Sequence, residues 1–130
     1  MDYIRDEHRV HLIMYHLVWT FFRRKKLTAD PAIARDYDRL VRAKCEELGL
    51  KVAELAVQPD HIHLFVQAFP THCAADIVKN VKGYTSHELR KQYPELCKIP
   101  TMHTRSYFAA TVGNVSKTTI ARYIANQKGF

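Results

Sequence analysis

Between Leu12 and Phe22 the odd positions Ile13, Tyr15, Leu17, Trp19 and Phe21 are all apolar or aromatic, while the even positions include His16 and Thr20. A two-residue period predicts a strand with one well-buried face and one mixed face. After the basic run Arg23 to Lys26 the period lengthens. Ile33, Tyr37, Leu40, Val41, Lys44 and Leu48 recur at helical steps. Asp30 can accept a bond from an orphan backbone N–H, Pro31 suits the first helical position, and Gly49 supplies the stop. Two strands, Leu50 to Val57 and His61 to Ala68, follow, joined by the tight turn Gln58-Pro59-Asp60.

Cys73 to Lys82 predicts a helix with Ile77, Val78 and Val81 on one side. Gly83 interrupts it, and Thr85 with Glu88 has capping-box spacing for a second helical piece that Tyr93-Pro94 ends. Tyr107 to Val112 reads as a short strand, after which Asn114 or Ser116 caps a last helix running nearly to Phe130. No repeat or linker divides the chain, so residues 1–130 are expected to form one domain. The order β-α-β-β-α-β plus a final helix is that of an α+β, ferredoxin-like (RRM-like) antiparallel sheet. Helices should cover one face and leave the other for a ligand or partner.

The net charge of +7 on 130 residues, with a sequence pI near 9.5, points to a polyanionic partner, either nucleic acid or an acidic membrane. The longest apolar stretch is too short to span a bilayer, and no signal-peptide pattern opens the sequence. Cys45, Cys73 and Cys97 are an odd number with no close pair, which argues against a disulfide framework or a cysteine zinc site. The expectation is a basic domain of the reducing cytoplasm, with no membrane partner.

Three features can carry chemistry. His61-Ile62-His63 on a strand projects two imidazoles from one side, about 6.5–7 Å apart along the chain, within reach of one divalent ion. An isolated H-x-H also fits two half-exposed histidines in ordinary hydrogen bonds. Tyr123 and Gln127 stand four residues apart on one face of the last helix. Tyr123 fits a ring packed at the core edge or a nucleophile, with Gln127 then a carbonyl-oxygen ligand beside it. A divalent ion that neutralises a phosphodiester oxygen, beside a tyrosine hydroxyl, is a means of making a covalent phosphotyrosine. Finally, Arg23, Arg24, Lys25, Lys82, Arg105, Lys117 and Arg122 supply cations for phosphate contact, with Tyr84 in Lys82-Gly83-Tyr84-Thr85 as a candidate aromatic beside a nucleic-acid strand. Tyr84 fits the core equally well.

The ordered set Pro59-Asp60-His61-Ile62-His63-Leu64-Phe65, Lys82-Gly83-Tyr84-Thr85-Ser86, Ser106-Tyr107-Phe108, Thr111-Val112-Gly113 and Tyr123-Ile124-Ala125-Asn126-Gln127 resembles the single-tyrosine HUH transposases of small bacterial and archaeal insertion sequences. The resemblance covers nearly the whole chain. It implies a homodimer, a Mg2+- or Mn2+-type ion, and single-stranded DNA substrates with hairpins near the element's ends. His61, His63 and Gln127 would be the metal ligands and Tyr123 the nucleophile forming a 5′-phosphotyrosine. Met102-His103 stands where the family commonly has a tryptophan, a departure in local packing or DNA contact. The alternative to strand transfer is a non-catalytic nucleic-acid-binding module on the same fold.

Overall fold

A computed structural model describes residues 4–5, 10–11, 13–111 and 122–126. Its strands are β1 (Ile4–Arg5), β2 (Val10–His11), β3 (Ile13–Thr20), β4 (Lys51–Val57), β5 (His61–Ala68) and β6 (Phe108–Ala110); its long helices are α1 (Pro31–Glu47) and α2 (Ala74–Gln92). The main sheet has the order β4-β5-β3-β6 with every neighbouring pair antiparallel, the ferredoxin-like α+β arrangement. The short β1–β2 ladder is an addition that the hydrophobic pattern did not predict.

Alternation on the two central strands divides the sheet. Leu17 and Trp19 of β3 and Ile62, Leu64 and Val66 of β5 are fully buried beneath the helices. Each such side chain contributes about 1.5–3 kcal/mol relative to exposure. Helix α1 brings Ile33, Tyr37, Leu40, Val41 and Cys45 to this core, and α2 brings Ile77, Val78, Val81, Thr85 and Leu89. The ends of α1 are as the sequence predicts. Asp30 accepts from the Ala32 amide at 2.9 Å, and Gly49, at φ +78°, lets the Leu50 N–H return to the Cys45 carbonyl.

Two expectations are corrected. Gly83 does not interrupt α2, which runs unbroken from Ala74 to Gln92. Thr85 does not cap a second piece, since its hydroxyl donates back to the Val81 carbonyl at 2.8 Å. A mid-helix glycine costs only about 1 kcal/mol, less than the continuous buried stripe on either side of it contributes. The first and last strands are also shorter than predicted. Phe21 makes only an isolated bridge to His103, Phe22–Arg24 is a 3-10 turn, and β6 stops at Ala110. Of the last helix, residues 122–125 are described and are helical; Asn114, Ser116, Lys117 and Gln127 lie outside the described residues. No helix among the described residues is long and apolar enough to cross a membrane.

Candidate active site

The face of the sheet turned away from the helices carries His61, His63 and Phe65 on β5. In register beside them on β3 are Thr20, Val18 and His16. Val18 also pairs with Phe108 of β6, so His63, Val18 and Phe108 form one row across this face. The Tyr123 ring sits 6.1 Å from the Phe108 ring, centroid to centroid, which puts the tyrosine over the same face as the two histidines. Its hydroxyl is bonded to Ser106 Oγ at 3.2 Å. Burial raises the Tyr123 pKa and the Ser106 bond lowers it, with burial prevailing, so the phenol is protonated at neutral pH.

The two imidazoles have different surroundings. His61 Nδ1 lies 2.9 Å from Asp60 Oδ1, so the ring's second nitrogen, Nε2, is the one left to meet a ligand. His63 Nε2 lies 3.3 Å from Nδ1 of His16, which is itself stacked on Phe65 with centroids 4.1 Å apart. Burial first, and then the neighbouring His16, pushes the His63 pKa down. Glu54 opposes this. The irregularity in β4 between Val52 and Glu54 turns that carboxylate onto the histidine face. A His63 kept neutral retains the lone pair that metal ligation needs, and imidazole nitrogen is an ordinary ligand for a first-row divalent ion. Among the described residues no three His, Cys, Asp or Glu side chains converge as a metal cluster. Gln127, the third ligand that the resemblance implies, lies outside the described residues.

Of the candidate DNA contacts, Arg23, Lys25, Arg105 and Arg122 are exposed. Arg23 lies over the Phe22 ring at 5.0 Å, and Arg105 lines a cavity of about 710 Å³ together with Phe22, Thr101, His103, Ser106 and Asn126. Others already have partners within the protein. Arg24 pairs with Asp60. The Lys82 ammonium donates to the carbonyls of Thr104 and Ser106 at 2.7 and 3.0 Å, and burial brings its pKa down to about 8. Tyr84 packs against the core in the helical layer, with the Lys44 ammonium 5.2 Å from its ring.

Nothing in the sequence pattern marks Ser106 as the partner of the tyrosine hydroxyl, and Asp60 reads there as a turn residue and a member of the Pro59-to-Phe65 motif, not as a partner of His61. The Asp-His dipeptide was the available signal for the second. At the departure from the family pattern, Met102 is fully buried and its carbonyl accepts from the Phe22 amide at 2.8 Å. His103 is buried beside it, with Nε2 2.8 Å from the Tyr37 hydroxyl.

Residues 9–127 match the family model described as "Transposase IS200 like". The chain belongs to the IS200-like transposase family. Within it, the chain is 30% identical over 122 residues to the ISDra2 transposase TnpA of Deinococcus radiodurans, covering 91% of this chain and 86% of that one. It also superposes on a crystal structure described as that of a transposase of D. radiodurans R1, with a TM-score of 0.88 and 29% identity over 96% of this chain and 98% of the other. A REP-associated tyrosine transposase bound to a REP hairpin shares the fold at a TM-score of 0.57 and 12% identity, over 94% of this chain and 68% of that one. The resemblance read from the motifs is therefore borne out at the level of family and fold.

Proposed function

We propose that this IS200-like transposase cleaves and rejoins single-stranded DNA at insertion-sequence ends through a 5′-phosphotyrosine on Tyr123. The observation that carries the reading is that Tyr123 lies over the sheet face that carries His61 and His63. In cleavage the Tyr123 Oη–P bond forms and the P–O3′ bond breaks, the departing 3′-oxygen leaving as a hydroxyl once it has gained a proton. Rejoining reverses the step, so the phosphoester bond is conserved and no nucleotide cofactor is consumed.

A divalent ion held by His61, His63 and Gln127 would neutralise charge on the phosphate and ease loss of the phenolic proton. Of Mg2+ and Mn2+, manganese is the better match to imidazole nitrogen. The Ser106 hydroxyl bonds the Tyr123 hydroxyl at 3.2 Å and favours loss of the phenolic proton against the opposing effect of burial. Arg23, Lys25, Arg105, Lys117 and Arg122 are assigned to phosphate contact. The hairpin carried by the REP-associated relative supports a substrate with hairpins near its ends. The working unit is read as a homodimer acting in the cytoplasm.

Incubation with end-derived single-stranded DNA and Mn2+ should give a protein–DNA adduct that survives denaturation. Tyr123→Phe should form none. An adduct of equal yield in that variant refutes the assignment. Metal-independent binding that is unchanged in His61→Ala, without any adduct, would favour a non-catalytic binding module.

A further inference from the structure

A line of polar side chains runs from the basic turn after β3 to the first histidine. Arg24 Nη2 donates to Asp60 Oδ2 at 3.2 Å, and the other carboxylate oxygen, Oδ1, lies 2.9 Å from His61 Nδ1. A carboxylate oxygen is an acceptor only, so this contact is a hydrogen bond when Nδ1 carries the hydrogen. In the neutral ring the lone pair then belongs to Nε2.

The backbone is arranged to make this meeting possible. Arg23 and Arg24 both have φ of 53°, the left-handed region that side chains with a Cβ seldom occupy. That turn brings the chain back over the Gln58-Pro59-Asp60 connection. There the Phe21 amide donates to the Asp60 carbonyl at 3.2 Å and the Thr28 amide to the Pro59 carbonyl at 3.2 Å. The Thr28 hydroxyl lies within hydrogen-bond distance of the carbonyls of both Gln58 and Pro59. Two consecutive left-handed arginines persist only where surrounding contacts hold them, and such sites cluster at functional positions.

We infer that Arg24 and Asp60 are positioning residues for His61, fixing its ring orientation and its Nδ1–H form so that Nε2 is offered to the cation. Arg24 thereby acts through the carboxylate on the histidine and not as a DNA contact. The inference rests on reading His61 as a cation ligand. Partners of this kind commonly sustain metal affinity by about 10–100-fold.

The test uses the full chain without DNA, so that loss of a phosphate contact has no influence. Long-range 1H–15N correlation at neutral pH should show His61 protonated at Nδ1 in the wild type. That preference should be lost in Asp60→Ala. Titration with Mn2+ should show affinity about 10–100-fold weaker in Asp60→Ala. Arg24→Ala should fall in the same direction by less, and the double variant should be no weaker than Asp60→Ala alone. Arg24→Lys should recover part of the loss. Asp60→Asn, which keeps the turn's shape, stands in if the alanine variant fails to fold, and should show a smaller change of the same sign. A His61 that keeps its Nδ1 proton in the folded Asp60 variant, with Mn2+ affinity within about twofold of wild type against the loss expected, overturns the inference. If His61→Ala itself binds Mn2+ like the wild type, the cation reading fails instead, and the tautomer measurement still decides the role of Arg24 and Asp60.

Discussion

Acid should unfold this protein through His103, and the effect is large enough to isolate. His103 is buried, and its Nε2 faces the Tyr37 hydroxyl at 2.8 Å. That hydroxyl already accepts the Trp19 indole N–H at 3.0 Å, so its own proton is free to go to a neutral His103. Burial first, then the positive charges of Lys82 and Arg90, pushes the His103 pKa down to about 3. An unfolded histidine titrates near 6.5. Below pH 6.5 the unfolded chain therefore takes up a proton that the folded chain refuses until about pH 3. The unfolded state binds more protons across that window, so stability falls as pH falls. At about 1.4 kcal/mol per pH unit, the single site removes about 3 kcal/mol between pH 7 and pH 4. That is a substantial share of a small domain's usual ~5–15 kcal/mol.

Urea unfolding followed by the fluorescence of Trp19, the one tryptophan, gives stability at each pH. His103→Gln should be less stable than wild type at pH 7, because the Tyr37 hydroxyl loses a well-placed acceptor. Its curve against pH should be flatter, so that the gap closes by about 3 kcal/mol on going to pH 4. Asp60, whose carboxyl also contributes at acid pH, is common to both proteins and cancels in the difference. Parallel curves would refute the reasoning, since they would mean that His103 takes up its proton equally well folded and unfolded.

Two further substitutions test the packing beneath the site by the same unfolding assay. Gly83→Ala should stabilise the protein by up to about 1 kcal/mol, because an added Cβ meets nothing within 4 Å and α2 is continuous there. A loss of stability would mean that the helix needs a break at that position after all. Leu64→Ala, on the fully buried side of β5 next to His63, should cost about 2–5 kcal/mol, and a cost under about 1 kcal/mol would contradict its place in the core.

The parts of this structure that could be read from the string are those fixed by local chemistry. Asp30-Pro31 and Gly49 bound α1 through groups within a few residues of one another, and the alternation of His61 to Ala68 assigns each side chain of β5 to a face. Where a local preference met tertiary packing, packing prevailed, as at Gly83. The Arg24–Asp60 pair was invisible for a different reason. Its members are 36 residues apart, and they meet only because a left-handed turn, which no propensity favours for arginine, folds the basic run back onto the 58–60 connection. A run of four basic residues looks the same whether its guanidinium groups meet phosphate or a carboxylate inside the protein. Ser106 escaped notice likewise, because an exposed serine has no pattern until Tyr123 is seen beside it.

Strand β5 joins stability to chemistry in this fold. Ile62, Leu64 and Val66 anchor it among the helices, and the same pleat obliges His61, His63 and Phe65 to point the other way. Because β3 pairs with β5 over eight residues, a one-residue slip would turn the core side chains to the histidine face and carry the imidazoles into the core. The register is thus held by the hydrophobic residues, which need no part in the reaction. What they leave to be arranged is the orientation of two rings and one phenol. The first ring has Asp60, the second has His16 and the stack on Phe65, and the phenol has Ser106 on a segment tied down by Lys82. Each proposed reacting group therefore rests against a partner whose loss should alter its chemistry while leaving the core intact. On this argument, substitutions at Ser106 should separate function from stability, whereas substitutions at Leu64 should not.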